Sequence, residues 1–242
     1  MGYRIFLAGG SGAIGRRLIP QLADAGHQVT ATTRQSTKAE ALRALGADPV
    51  VVDVFDLNGL GAAVVAAKPE IVIHQLTDLP PGLDPARMGE AAARNARIRD
   101  EGTRNLVEAA KAAGARRLIA QSISWAYAPG SEPHGETDPL DSAAEGGRGI
   151  SVRGVIALER QVLTAAPLTG VVLRYGHLYG PGSGAETAAD PAVHVDAAAH
   201  AALLAVERGE SGAFNVAEPN GHVTTGKAVS ELGWRADFRM AR

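Results

Sequence analysis

Apolar residues fall along this chain in two alternating patterns, short continuous runs and stretches where they recur every three or four positions. Residues 3–8 form an apolar run ending in glycines, and Ile14, Leu18, Ile19 and Leu22 then repeat at helical spacing, which predicts strand, tight loop and helix. Residues 29–32 and 49–52 read as the next strands, with a helix over 37–45 between them. Helices are predicted over 57–68, 87–113 and 151–165, separated by strands at 71–74, 117–121 and 171–173. Strand–helix alternation with short connections implies right-handed crossovers and a parallel sheet covered on both faces. The fold class is therefore α/β, doubly wound. After Arg174 the pattern weakens to a Gly/Pro-rich stretch at 179–184, an Ala-rich helix over 195–207 and a short strand at 214–216. We read residues 1–242 as one domain, with a core to about residue 174 and a small C-terminal lobe over 175–242. Residues 129–149, rich in Gly, Pro, Glu and Asp, are expected to be a surface loop of unusual length, either a lid or a disordered segment.

Composition narrows the function classes. A hydrophobic share of 45% in 242 residues supplies one large core, and aromatics are only 4%. A net charge of -2 and a pI near 6.4 give no basic footprint for nucleic acid or anionic membrane, so neither is expected as a partner. The absence of cysteine excludes disulfides, thiolate metal sites and cysteine nucleophiles. His194, His200 and His222 are too dispersed to suggest a metal site, and none is predicted. No apolar stretch reaches the ~20 residues needed to span a bilayer, and the N-terminus runs directly into a strand, so a cytoplasmic protein is expected.

The chemistry is carried first by Gly9-Gly10-Ser11-Gly12-Ala13-Ile14-Gly15, between the first strand and the first helix. A dinucleotide diphosphate approaches backbone N–H groups at such a helix N-terminus. Gly9 serves the tight turn, Gly12 the contact with the diphosphate, and Gly15 the packing of helix on sheet. This is a Rossmann-type signature. Where NAD-binding proteins place an acidic residue at the end of the second strand, this chain has Thr33 followed by Arg34, a guanidinium suited to a 2′-phosphate. NADP(H) is therefore expected over NAD(H), with Lys38 and Arg16 as further sources of positive potential.

Taken with Val51-Val52-Asp53, Ile73-His74-Gln75-Leu76, Gly102-Thr103-Arg104-Asn105-Leu106, the stretch from Arg174 to Pro181, and His194-Val195-Asp196, the loop makes the chain resemble the extended short-chain dehydrogenase/reductases, the NAD(P)-dependent epimerase and dehydratase group. That resemblance implies adenine contacts from Asp53 and Val54, a ribose path along Leu76 and Thr77, and dimers formed through helices. It also implies a Ser or Thr after the fifth strand and a Tyr-x-x-x-Lys pair on the next helix, and here the likeness stops. Anchored on Glu159, the pattern puts Ser151 at the Tyr position and Val155 at the Lys position; anchored on Tyr127, it puts Ile123 in the Ser slot, flanked by Ser122 and Ser124. Arg99 stands where the family has a structural Asn. Neither serine nor valine can do the work of the missing pair.

Candidates near the nicotinamide are then His177, at a place where relatives have Asn, together with Tyr127, Tyr175, Ser122 and Ser124. Glu136 and Asp138 are read as solvated loop carboxylates. Two functions stay open. One is an NADPH-dependent reductase of a ketone, aldehyde or enone in a small hydrophobic molecule, with an activated substrate offsetting the lost Tyr–Lys pair. The other is a non-catalytic NADP(H)-binding redox sensor or assembly protein.

Overall fold

In the computed structural model, residues 2–80, 82 and 84–241 are described. Seven strands form the main sheet: β1 (Arg4–Ala8), β2 (Gln28–Thr33), β3 (Asp48–Val51), β4 (Ile71–His74), β5 (Arg117–Ile123), β6 (Thr169–Tyr175) and β9 (Gly212–Val216). They run in the order β3-β2-β1-β4-β5-β6-β9, every neighbouring pair parallel. The order reverses between β1 and β4, and ligands of such sheets bind outside the carboxyl ends of the strands at that point.

Alternation along β1 shows why the sheet has two cores. Ile5 and Leu7 face one side with α1 (Ala13–Asp24) and α7 (Val195–Leu204), whereas Phe6 and Ala8 face the other with α3 (Leu57–Ala67), α5 (Thr103–Ala112) and α6 (Gly146–Leu163). All are buried, and each large side chain withdrawn from water contributes roughly 1.5–3 kcal/mol. Ala197, Ala198, Ala199, Ala201 and Ala202 are all fully buried, so α7 lies close against its neighbours at little cost in side-chain entropy. The short α2 (Ala39–Ala44) follows a 3₁₀ turn over Ser36–Lys38.

The helix expected over 87–113 is a single run in three parts: α4 (Met88–Arg97), a π-helical segment (Ile98–Gly102) and α5. The C-terminal segment departs further from expectation. Its strand β9 joins the main sheet beside β6, because Gly212 to Val216 pair with Val171 to Tyr175, and Phe214 and Val216 enter the main core. Trp234 is buried there too, donating from Nε1 to the Ala197 carbonyl at 2.9 Å. A two-stranded parallel ribbon, β7 (His177–Tyr179) with β8 (Ala192–His194), sits apart from the main sheet.

Residues 129–149 lie at the surface with most residues exposed, as expected, but they are held in place rather than free. Helix α6 begins at Gly146, and the segment before it is pinned to the body. His134 is buried and exchanges backbone bonds with His222 and Thr224. Glu136, expected in solvent, accepts from the Asn215 N–H at 2.9 Å, and Asp138 accepts from the Gly135 N–H at 3.0 Å. Asn215, His222 and Thr224 lie far away in sequence, so no local pattern announces them. Among the described residues no helix is long and apolar enough to cross a membrane, and no group of three His, Asp or Glu has the disposition of a metal site.

Candidate functional site

A cleft of about 650 Å³ opens over the carboxyl ends of β1, β2 and β4. The glycine loop forms its floor, with Gly9, Ser11, Gly12 and Ala13 lining it. Gly9 has φ +94°, a conformation other residues adopt only with strain, and its N–H donates to Thr32 Oγ1 at 3.1 Å. Gly15 lies under the loop, where a Cβ would come within 2.4 Å of the Gly9 carbonyl oxygen and 2.5 Å of that of Gly10. Ile14 is buried in the core beneath, so these two residues hold the helix against the sheet.

Gly12 is different. Its φ of -77° and ψ of 177° suit any L-residue, and a Cβ there would meet nothing nearer than 3.4 Å. The fold alone does not need a glycine at this position. Helix α1, which Gly12 precedes, has no side-chain cap and no acidic residue in its first turn, leaving its N-terminal dipole and N–H groups uncompensated by the chain. This arrangement fits a dinucleotide diphosphate: an open approach, bare amides and a positive helix end.

The walls hold the remaining predicted contacts. Thr33 and Arg34 stand at the end of β2, Asp53 and Val54 follow β3, and Leu76 and Thr77 follow β4; all six line the cleft. Asp53 accepts from the Phe55 N–H at 3.0 Å, so its carboxylate shapes the turn beside the cleft. Two asparagines of the long helical run clamp these walls. Asn95 bonds both the N–H and the carbonyl of Asp78, and Asn105 donates to the Val54 carbonyl at 2.9 Å. Arg16 and Lys38 line the cleft as well, and Arg34 reaches across to Asp78 at 3.2 Å, which also pairs with Arg94 at 3.2 Å. Sequence reasoning missed Asp78 and the glycine-rich Gly182–Ser183–Gly184 stretch that closes one side of the cleft. Neither is signalled by spacing from the loop.

Below Leu76, His74 is completely buried, and burial pulls its pKa down to about 4, helped by the nearby Arg99 charge. The neutral ring accepts from the Leu76 N–H at Nδ1 (3.2 Å), which puts its proton on Nε2 toward Thr103 Oγ1 (3.1 Å).

The second region lies past β5 and β6. Their register sets Ser122 beside Arg174 and Ile123 beside Tyr175. Ser122 donates to Glu159 Oε1 at 2.7 Å, and Glu159 also accepts two bonds from Arg174, at 2.9 and 2.7 Å. Arg174 Nη1 donates to Tyr127 Oη at 2.7 Å, and that hydroxyl donates to Asn215 Oδ1 at 2.7 Å. This buried network commits Ser122 and Tyr127 to the walls, and burial raises the Tyr127 phenol. The same network ties down the segment before α6, since Arg174 Nη1 also donates to the Glu136 carbonyl. Tyr175 is buried, its pKa well above the ordinary phenol range because of that burial, and its hydroxyl takes a long 3.4 Å bond from Gln75.

Ile123 and Val155 pack with Ala126 and Val152 in a small apolar cluster. Ser151 offers its backbone carbonyl to Arg99 at 3.3 Å, and burial lowers that guanidinium's pKa to about 10. Beside this cluster is a second cavity of about 480 Å³, lined by Ser124, Trp125, Tyr127, His134 and His177 among others. Ser124 Oγ is buried without a hydrogen-bond partner. His177, exposed at the cavity wall, stacks on Trp125 with ring centroids 5.4 Å apart, and desolvation lowers its pKa. It is therefore a mainly neutral imidazole at neutral pH.

Comparison with known proteins fits this geometry. The sequence profile of a family described as NAD(P)H-binding matches residues 9–197, from the glycine loop to the start of α7. The chain belongs to the NAD(P)H-binding family. Within it, a 3-diazoavenalumate denitrifying reductase from a Streptomyces species is 43% identical over 244 residues, covering 89% of this chain and 76% of the relative. Among solved structures, UDP-glucose 4-epimerase from Thermotoga maritima superposes with a TM-score of 0.80 at 21% identity, over 97% of this chain and 94% of that one. The Thermus thermophilus UDP-glucose 4-epimerase, in complex with NAD, gives 0.78 at 21% identity, over 98% and 95%. The fold is thus the Rossmann-like epimerase and reductase fold, and this NAD(P)H-binding protein is an oxidoreductase.

Proposed function

We propose that the protein is an NADPH-dependent reductase of an activated small-molecule electrophile, one that accepts hydride without a proton donor supplied by the protein. The observation carrying this reading is the apolar cluster of Ile123 and Val155, which takes the place of the family's acid machinery. NADPH, when bound, supplies the hydride. The chain's share is to grip the diphosphate through the first-turn amides of α1 and to receive the 2′-phosphate with Arg34 supported by Arg16 and Lys38. The preference for NADP(H) rests on those three cations and on Thr33 standing where an acidic residue would repel the phosphate. Neutral His177 and buried Tyr175 are poor acids at pH 7, so neither drives a step by giving up a proton.

Proton balance narrows the electrophile. Reduction of a ketone or aldehyde needs a hydride and then a proton, which here must come from water or from the substrate's own hydroxyl; an activated carbonyl or enone tolerates that. A diazonium carbon needs no proton at all: hydride goes in, dinitrogen leaves, and a C–H bond remains. The name of the Streptomyces relative, a diazo-compound reductase described as denitrifying, points the same way. The test is NADPH oxidation followed by absorbance with two probes, benzenediazonium and 9,10-phenanthrenequinone, with deuterium from C4-labelled NADPH traced into the products. Turnover of either supports the reading. Tight NADPH binding without turnover of either would overturn it in favour of the sensor.

A further inference from the structure

The second cavity carries more than a place for some substrate, and the following rests on the reductase reading above. Its walls concentrate flat rings in a chain that has few. Trp125 and His177 lie parallel at 8° with centroids 5.4 Å apart, and Tyr127 and His134 lie parallel at 12° with centroids 5.0 Å apart. Aromatic residues are only 4% of the sequence, yet two stacked pairs meet at this one cavity. Such faces attract another flat π-system at van der Waals distance, with a gain beyond the area it buries.

Two further features restrict the ligand. Ser124 lines the cavity and its buried Oγ has no hydrogen-bond partner, so an oxygen or nitrogen substituent that reaches it gains a bond the chain does not supply. The one arginine of the cavity, Arg148, is already spent: it donates to Asp141 at 3.1 Å and to the carbonyls of Trp125 and Tyr127 at 3.0 Å each. His222 is likewise paired with Glu132 at 2.8 Å, and Asp190 adds another carboxylate to the wall. Among the described residues of these walls no cation is left to hold a diphosphate.

We infer that the cavity takes a flat aromatic substrate without a phosphate group, laid against the Trp125–His177 pair and hydrogen-bonded through a ring substituent to Ser124 Oγ. UDP-glucose, present in the superposed Thermotoga maritima epimerase, finds no free cation on these walls for its diphosphate.

The test uses the full chain with two matched probes, 2-naphthol and its saturated counterpart 2-decalol, titrated by calorimetry and by tryptophan fluorescence. Trp234 is buried in the main core, so ligand-dependent quenching reports Trp125. The expected result is 2-naphthol binding at least tenfold tighter than 2-decalol, with quenching. His177→Ala should weaken 2-naphthol about fivefold, while His177→Phe, which keeps a ring in place, should restore it. Ser124→Ala should weaken it by about the same factor. NADPH affinity in all three variants should stay at the wild-type value, which separates failure here from failure of the cofactor reading. Equal affinities for the two probes, or UDP-glucose displacing 2-naphthol at comparable concentration, would overturn the inference.

Discussion

Replacing Gly12 and Gly15 separately by alanine divides what the fold requires from what the cofactor requires. At Gly15 the new methyl would sit 2.4 and 2.5 Å from two backbone carbonyl oxygens, which no side-chain rotation relieves. Helix α1 or the loop must then move, and overpacking of that kind costs ~1–3 kcal/mol. For a domain of this size that is a fall in Tm of roughly 2–4 °C per kcal/mol. At Gly12 the backbone is already in a region alanine prefers, and the nearest atom to the methyl is 3.4 Å away. The small loss from a poorer N-cap and the small gain from a stiffer unfolded chain offset to within ~0.5 kcal/mol, so Tm should hold within about 2 °C. Binding is another matter. A methyl over the first-turn amides displaces the diphosphate from about two charge-assisted hydrogen bonds, each worth ~1.5–3 kcal/mol. That predicts a rise of about 10²–10⁴-fold in the Kd for NADPH. Melting curves with and without NADPH, together with calorimetry, measure both quantities. A Gly12→Ala protein that binds NADPH within threefold of wild type would refute the argument, as would one that loses as much stability as Gly15→Ala.

Arg34→Ala should weaken NADPH at least tenfold more than NADH, and equal effects in paired titrations would remove Arg34 from the 2′-phosphate site. Asp78→Asn, which frees Arg34 of its carboxylate partner, should tighten NADPH up to about fivefold, and a weakened complex would contradict the reading. The depressed pKa of buried His74 makes stability pH-dependent: its contribution is intact above the unfolded value of 6.5 and is lost as pH falls toward about 4. The full span is ~3 kcal/mol, of which ~2 kcal/mol is gone at pH 5. Urea unfolding at pH 7.5 and 5 should show that fall in wild type and a shallower one in His74→Gln; identical slopes would exclude His74 as its source. Ser122→Ala removes a bond to Glu159 and should cost ~1 kcal/mol of stability with turnover unchanged, whereas a large loss of turnover at wild-type stability would place Ser122 in the chemistry.

The main sheet and the glycine loop at its carboxyl edge were legible because their causes are local. Runs such as Ile71 to His74 and the helical repeat from Ile14 to Leu22 declare themselves within a few residues, and the glycine loop sits between a strand and a helix that both can be read. That Ile123 and Val155 belong to one apolar cluster is revealed only by packing. What escaped depends on distant partners. Glu136 reads as a solvated carboxylate until β9 brings the Asn215 N–H to it, and residues 129–149 read as a lid or a disordered segment until Arg174 and His222 tie them down. The Trp125–His177 stack joins the ends of two strands, and nothing in either neighbourhood foretells it.

The π-helical stretch from Ile98 to Gly102 amounts to a one-residue surplus wound into an otherwise regular rod. It sets the angular phase between Asn95 on one side and Asn105 on the other, and so lets one rod fasten two different loops of the cleft. Winding the same residues as regular α-helix would turn everything upstream by about 100° and swing Asn95 off the Asp78 backbone while Asn105 kept its hold. Deleting one residue together with the bulge would leave both asparagines in phase, so the bulge absorbs the surplus residue and lets the rod keep both walls.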